Sequence, residues 1–178
     1  MDEVDGEMTS FNWPKGPRVH VSNVKVPAAL ISSDAPATVD NEGLKKVDLV
    51  IEEGKIAAIG PAGSAPVGAV FEADNGQAWP TFADLHTHLD KGHIIPRAAN
   101  PGGTIDVARS STRVDTMTRW CAEDVEARFE FALKTAYAHG TSAIRTHIDC
   151  FVEGQATISF GVFRRLRERW AGRIELQA

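Results

Sequence analysis

From residue 82 onward the sequence alternates between short apolar segments and longer amphipathic ones. Residues 82–90, 142–149 and 173–178 have the pattern of strands, and residues 122–139 and 155–170 carry apolar residues at helical spacing. Strand, helix and strand in this order form parallel sheets. We therefore predict an α/β fold with two complete strand–helix units and the start of a third strand. A closed (β/α)8 TIM barrel needs eight such units and about 250 residues, so the barrel would be incomplete within residues 81–178.

The preceding part of the chain has a different pattern. Its short β-type segments are 19–26, 46–51, 55–60 and 69–73, the second and third joined by a turn at Gly54. We predict that residues 18–80 form a small β-subdomain. Residues 1–17 are polar and contain glycine and proline, which predicts a flexible leader.

Two further segments are predicted from turn and capping signals. Residues 92–118 are expected to form a long loop with one short helix near 104–108. The helix that begins near Ala122 is expected to end at Gly140, where glycine accommodates a left-handed backbone conformation.

Composition excludes several functional classes. The 178 residues are 43% hydrophobic and carry a net charge of −5, which fits a globular protein and argues against nucleic acid as a partner. Four arginines near the end of the last predicted helix are interpreted as a solvated face: Arg164, Arg165, Arg167 and Arg169. No stretch approaches 18 consecutive apolar residues, so no membrane partner is expected. Two cysteines without a paired pattern fit a cytoplasmic protein.

The first strand of the α/β half carries a candidate metal site. Strand side chains alternate between faces, so His86, His88 and Asp90 are predicted to share one face. The opposite face, which would pack against the core, carries Leu85, Thr87 and Leu89. Imidazoles at this spacing near the end of a barrel strand are typical of a metal site. The alternative is that both histidines are hydrogen-bonded interior groups.

The second strand repeats this polarity. Arg145, His147 and Asp149 alternate with three residues of the packing face, Ile144, Thr146 and Ile148. Ionisable groups on one strand face must be paired, bound to a metal or open to water. The alternative to a site is a supporting network in which Arg145 pairs with Asp149 or Asp84.

Other titratable residues near these strands are given simpler roles. His20 is interpreted as structural, His93 as a solvated loop residue, and His139 as a surface residue at a helix end. Asp90 is expected to orient a metal ligand, and Lys91 is expected to point away from the histidines.

These motifs together resemble the amidohydrolase superfamily, and most of all its cytosine deaminase group. The resemblance covers roughly residues 47–178 and depends on three segments: Gly54-Lys55-Ile56-Ala57-Ala58-Ile59-Gly60, Phe82 to Lys91, and Gly140 to Asp149. It implies a (β/α)8 barrel preceded by a β-sandwich, with His86 and His88 as ligands of a divalent metal, zinc or iron. Asp90, Arg145, His147 and Asp149 would lie behind these ligands or in the substrate pocket. A looser match, Gly103-Thr104-Ile105, would place Ile105 in the pocket wall.

The resemblance also implies a reaction. Members of this group hydrolyse a C–N bond of cytosine-like or related heterocycles, as in pyrimidine metabolism, and the full-length protein could be a homo-oligomer. The family's later histidine, aspartate and catalytic glutamate have no counterpart among these residues, so no catalytic residue is assigned and the chain alone is expected to be inactive. Two alternatives stay open: another amidohydrolase, dihydroorotase-like or triazine-hydrolysing, or a non-catalytic interaction module.

Overall fold

The structure, a computed structural model, describes residues 12–32 and 37–178. The chain divides into two compact units, Met1–Pro80 and Thr81–Ala178. Most of the predicted leader, residues 1–11, lies outside the described residues.

The first unit contains one mixed four-stranded sheet. Its strands are β1 (Arg18–Pro27), β2 (Leu44–Glu52), β3 (Lys55–Pro61) and β4 (Ala69–Glu72), and a short 3₁₀ turn follows β1 at Ala28–Leu30. The strand order is β3-β2-β1-β4, with β1 and β4 parallel and the other pairs antiparallel. All four strands predicted for this region are confirmed to within two residues at each end.

Local backbone chemistry explains the shape of this sheet. Glu53 and Gly54 both have positive φ, as the two central residues of a type I′ hairpin turn require. In β1 the register shifts between Val21 and Val24 around Asn23, which has a φ of 56°. A bulge adds one residue and reverses the alternation of side chains. The buried valines therefore change from odd to even numbers along β1: Val19, Val21, Val24 and Val26.

A polar pair is buried within this unit. His20 Nε2 lies 3.2 Å from Asp48 Oδ2, and both side chains are almost inaccessible to solvent. Burial by itself raises the pKa of the Asp48 carboxyl group. Hydrogen bonds from the Asn23 amide, the His20 ring and the Ser64 amide together lower it by more, so the pKa of Asp48 lies below its ordinary value. These contacts support the structural interpretation of His20.

The second unit contains a three-stranded parallel sheet covered by helices. Its elements are β5 (Phe82–Thr87), α1 (Ile105–Arg119), α2 (Ala122–Ala138), β6 (Thr141–Thr146), α3 (Gln155–Arg169) and β7 (Glu175–Gln177). The strand order is β5-β6-β7. The predicted alternation of strands and helices is confirmed for β5, α2, β6, α3 and β7.

The core of this unit lies between the sheet and the helices. From α2, Val125, Phe129 and Leu133 are completely buried, and they pack with residues of α3, β6 and β7: Val162, Leu166, Ile144 and Leu176. Gly140 follows α2 with a φ of 83°, as its predicted role at the helix end requires.

Helix α1 is much longer than the short helix predicted near 104–108. The Thr104 side chain caps its first turn by accepting a hydrogen bond from the Val107 amide. Its buried residue is Asp115, which accepts a bond from Trp120 Nε1 at 2.8 Å and pairs with Arg97. Polar contacts hold this helix, and its large apolar residues Ile105, Val107, Val114 and Met117 are exposed, so it lacks the buried apolar face by which the other two helices were predicted.

The packing prediction for β5 is wrong at one position. Leu89 is buried in the core, but Leu85 is 72% exposed and Phe82 is 58% exposed. The reason is that β5 is an edge strand, whereas α2 packs on β6 and α3 on β7. Within the described residues, no helix has the length and apolar character needed to cross a membrane.

Candidate metal centre

Three imidazole rings lie together at the ends of β5 and β6. The ring centroids of His86 and His147 are 4.1 Å apart, and His88 lies 5.7 Å from each of them. The structure therefore brings the two histidines of the first predicted strand next to the histidine of the second.

Strand pairing explains this meeting. Strands β5 and β6 are parallel neighbours in which Thr87 pairs with Thr146, and the His147 amide donates to the Thr87 carbonyl at 2.7 Å. Since His86 and His88 flank Thr87, all three rings fall at the carboxyl ends of adjacent strands. This is the edge at which parallel α/β sheets hold their ligands.

The residues between the histidines determine which face the rings occupy. Thr146 is buried, and its hydroxyl accepts a bond from the Leu89 amide at 3.0 Å. Ile144 packs in the core beneath α2. Because alternate side chains of a strand point in opposite directions, burial of these residues directs the histidines to the face away from the helices.

The three rings are exposed, and their environment favours neutral imidazole at His147. The pKa of His147 lies below its ordinary value mainly because of desolvation. Electrostatic interactions with His86, His88 and Arg145 lower it further. A neutral imidazole keeps a lone pair for a metal, whereas a protonated one does not.

The donor set fits a transition metal, but the ring orientations are not those of a bound site. Among the residues that the structure describes, no group of three or more His, Cys, Asp or Glu side chains could hold a metal ion as arranged. Two imidazoles on one zinc ion at about 2.0–2.1 Å place their centroids roughly 4.5–5.5 Å apart. The observed separations of 4.1 and 5.7 Å lie close to that range on either side, so the three residues lie at about the spacing that one shared ion requires.

Asp90 does not join the histidine cluster, contrary to the prediction. Its side chain is fully buried, accepts a bond from the Asp149 amide at 3.0 Å and contacts Ser159 of α3. Burial raises its pKa above the ordinary value. The strand ends at Thr87, so the alternation that predicted a shared face does not extend to Asp90.

The remaining polar residues of β6 and of the segment that follows it contact different partners. Arg145 donates to the Gln177 side chain of β7 at 3.1 Å, not to Asp149 or Asp84. Asp149 is buried and pairs at 2.9 Å with Lys91, which was expected to point elsewhere. Arg145, His147 and Asp149 therefore each contact a different neighbouring segment, and their roles behind the ligands or in the substrate pocket stay predictions.

Arg128 is a residue of this region that sequence reasoning missed. It is buried on α2, donates to the backbone carbonyls of Asp90 and Gly92, and pairs with Asp124. It thereby holds the segment that follows His88. The sequence does contain one indication of this role. Arg128 lies three residues after Val125 and so falls on the apolar face of the helix.

Three other predicted positions lie apart from the cluster. Ile105 is the first residue of α1 and is 63% exposed. His93 stacks edge-on against Phe131 at 4.8 Å, and His139 contacts the Thr135 carbonyl at the end of α2. The described contacts do not place any of these three against the histidine rings.

Comparison with known proteins gives a pterin deaminase among the relatives of this chain. A pterin deaminase from Rhizobium rhizogenes is 48% identical over 168 residues, which is 93% of this chain and 37% of that protein. The solved structure of N-isopropylammelide isopropylaminohydrolase from Burkholderia multivorans matches with a TM-score of 0.63 and 28% identity, over 91% of this chain and 37% of the other. No protein-family model matches the chain.

A third match concerns the fold alone. The solved structure of 5-methylcytosine deaminase from Klebsiella pneumoniae has a TM-score of 0.63 at 20% identity, over 89% of this chain and 35% of the other. The first two matches confirm the resemblance to the amidohydrolase superfamily. Pterin deaminase is the relative with the highest identity among these three. The chain spans a little over a third of the length of each.

Proposed function

We propose that this chain forms part of a metal-dependent hydrolase that removes an amino group from a nitrogen heterocycle. The observation that carries the proposal is the cluster of His86, His88 and His147 at the carboxyl ends of two adjacent parallel strands. His86 and His88 would hold a divalent cation, zinc or iron. His147 would supply a third neutral nitrogen beside them.

The proposed architecture is the beginning of a (β/α)8 barrel. Residues 81–178 would provide its first two strand–helix units and the third strand, which is supported by the all-parallel order β5-β6-β7. Residues 18–80 would belong to a β-sandwich, of which the described sheet is one layer.

The chemistry requires more groups than these residues provide. A bound divalent cation would lower the pKa of its water far below that of bulk water, toward about 7, and so would make hydroxide available at neutral pH. The three histidines would hold and orient the cation, while the contacts of Arg128 keep the segment after His88 in place. Deamination also needs a group that transfers protons to the leaving nitrogen, and with its three imidazoles assigned to the cation the cluster leaves none for that step. We therefore expect these 178 residues to bind metal without turnover.

The proposed substrate is an amino-substituted pterin-like ring. The 48% identity to a pterin deaminase supports this choice over the cytosine-like ring expected from the sequence motifs. A second candidate is hydrolysis of an alkylamino group from a triazine, favoured by the 28% identity and TM-score of 0.63 to the isopropylaminohydrolase. A non-catalytic interaction module is the third possibility.

Metal analysis tests the first step. Purified chain loaded with zinc or iron should retain about one equivalent after dialysis and lose it to a chelator. The double variant His86→Ala/His88→Ala should retain none, while His139→Ala, a histidine of the α2 end, should behave as the parent. Equal retention by the parent and the double variant would favour the interaction module.

Substrate assays test the second step. Protein expressed from the complete natural reading frame should release ammonia from pterin faster than from cytosine. Release of isopropylamine from N-isopropylammelide, without ammonia from pterin, would favour the triazine reaction.

A further inference from the structure

A cavity of about 490 Å³ lies between α1 and the segment that follows β6. The residues that matter for its chemistry are Lys91, Arg109, Arg113, Asp149 and Phe151. Lys91 follows His88 by three residues, and Asp149 follows His147 by two. The cavity therefore adjoins the strand ends that carry the histidines.

The charge of this cavity is opposite to that of the chain. Three cationic side chains line it against one carboxylate, in a protein whose net charge is −5. The ion pair of 2.9 Å between Lys91 and Asp149 compensates one cation. A concave surface lined by charges of one sign concentrates ions of the opposite sign.

The other two cations have no partner among the described residues. Within residues 12–32 and 37–178, neither Arg109 nor Arg113 makes a hydrogen bond or an ion pair, in contrast to Arg97 and Arg128 nearby. The two are four residues apart on α1 and therefore project from the same side of the helix. Guanidinium groups in this arrangement offer planar pairs of donors that match carboxylate and phosphate oxygens.

The hydroxyl groups of the lining are already used as donors. Thr112 donates to the Ala108 carbonyl at 2.7 Å and Thr116 to the Thr112 carbonyl at 2.8 Å. Among the described residues, the two arginines are therefore the side chains of the lining whose donors have no protein partner.

An aromatic side chain borders the same cavity. Phe151 is 87% exposed, the highest exposure among the large hydrophobic side chains of the described residues. A solvent-exposed aromatic face beside unpaired cations combines a surface for stacking a flat ring with a site for an anionic group.

We propose that this cavity binds a small aromatic acid, with its anionic group between Arg109 and Arg113 and its ring against Phe151. The cavity adjoins the histidine cluster but is not lined by His86, His88 or His147, so binding there does not require a bound metal. It therefore does not depend on the proposed function.

Equilibrium dialysis of the metal-free chain tests the proposal with two probes of the same shape. Benzoate should bind at least tenfold more tightly than the neutral benzamide. The double variant Arg109→Gln/Arg113→Gln should weaken benzoate binding at least tenfold. The matched control is Arg164→Gln/Arg167→Gln on α3, because these arginines also lack a described partner and line a different depression; it should leave binding unchanged.

A second variant and a second anion test the aromatic part. Phe151→Ala should weaken benzoate binding several-fold and leave the affinity for inorganic phosphate unchanged, since phosphate has no ring. Equal affinities of the parent for benzoate and benzamide would overturn the proposal. So would benzoate binding that survives the loss of both α1 arginines, or a parent chain that binds phosphate but not benzoate.

Discussion

The carboxylate of Asp90 accepts a hydrogen bond of 3.0 Å from the backbone amide of Asp149. Asp90 follows His88 by two residues, and Asp149 follows His147 by two. This hydrogen bond thus joins the two segments that follow the histidines. The Asp90 side chain is completely buried there. A contact of this kind keeps two loops in register without touching a ligand.

Two replacements of Asp90 should distinguish its role as a hydrogen-bond acceptor from the effect of its negative charge. Asp90→Ala leaves the Asp149 amide without its partner and should lower the free energy of unfolding by about 1–3 kcal/mol. Asp90→Asn keeps a carbonyl oxygen and removes a carboxylate that burial disfavours, so it should lose under about 1 kcal/mol. Urea denaturation measures both values. Equal losses in the two variants would show that the bond to Asp149 is not the important contact.

Arg128 should be required for the order of the segment after His88. Arg128→Met keeps much of the side-chain volume but removes the donors to the Asp90 and Gly92 carbonyls and leaves Asp124 with one partner fewer. We expect a loss of about 2–4 kcal/mol and faster amide exchange in residues 89–93. The control is Arg119→Met, an exposed arginine of α1. Unchanged exchange at residues 89–93 in Arg128→Met would contradict this role.

The ion pairs of Asp124 predict a specific loss of stability in acid. The Arg97 side chain first, and Arg128 after it, hold the pKa of Asp124 below its ordinary value of 3.8. A lowered pKa stabilises the folded state at pH values above 3.8, and that contribution disappears as the pH falls through the lower folded-state pKa. The free energy of unfolding of Asp124→Asn should therefore fall less steeply with acidification than that of the parent.

Urea titrations at a series of pH values between neutrality and the acid limit of folding measure this difference. Asp106→Asn, in the exposed first turn of α1, serves as the control and should follow the parent. If the free energy of unfolding fell equally steeply with acidification in Asp124→Asn and in the parent, the ion pairs of Asp124 would not be a source of the acid sensitivity.

His147 should contribute to metal affinity to a smaller degree than His86 and His88. Its ring lies 4.1 Å from that of His86, so its removal takes away a neighbouring nitrogen but leaves the pair that we propose as ligands. We expect His147→Ala to weaken zinc binding by about 10–100-fold, measured by competition with a chromogenic chelator. An affinity equal to that of the parent would exclude His147 from the centre.

The exposed edge of β5 should cause self-association of the isolated chain. Leu85 and Phe82 are exposed on this edge strand, and unprotected edges pair with other chains. Leu85→Lys should shift the chain toward monomer in sedimentation velocity experiments, because a lysine on an edge strand disfavours such pairing. Val114→Lys, which changes an exposed residue of α1, should leave the association unchanged. A parent chain that is monomeric at all concentrations would contradict the prediction.

The sequence alone was sufficient where the structure depends on near neighbours. The strand and helix pattern, the stop at Gly140 and the turn at Gly54 follow from periodicity and from the backbone freedom of glycine, which act over a few residues. The same holds for the proximity of the His86 and His88 rings, since the two residues are only two positions apart at the end of β5.

Tertiary structure decided which side chains meet. The contact of His147 with His86 depends on the register between β5 and β6, and the departure of Asp90 toward Ser159 depends on the end of β5 at Thr87. Helix α1 is held by Asp115, Arg97 and Trp120, whose contacts join separate segments. Periodicity cannot predict such contacts, because their energy comes from partners that only the folded chain brings together.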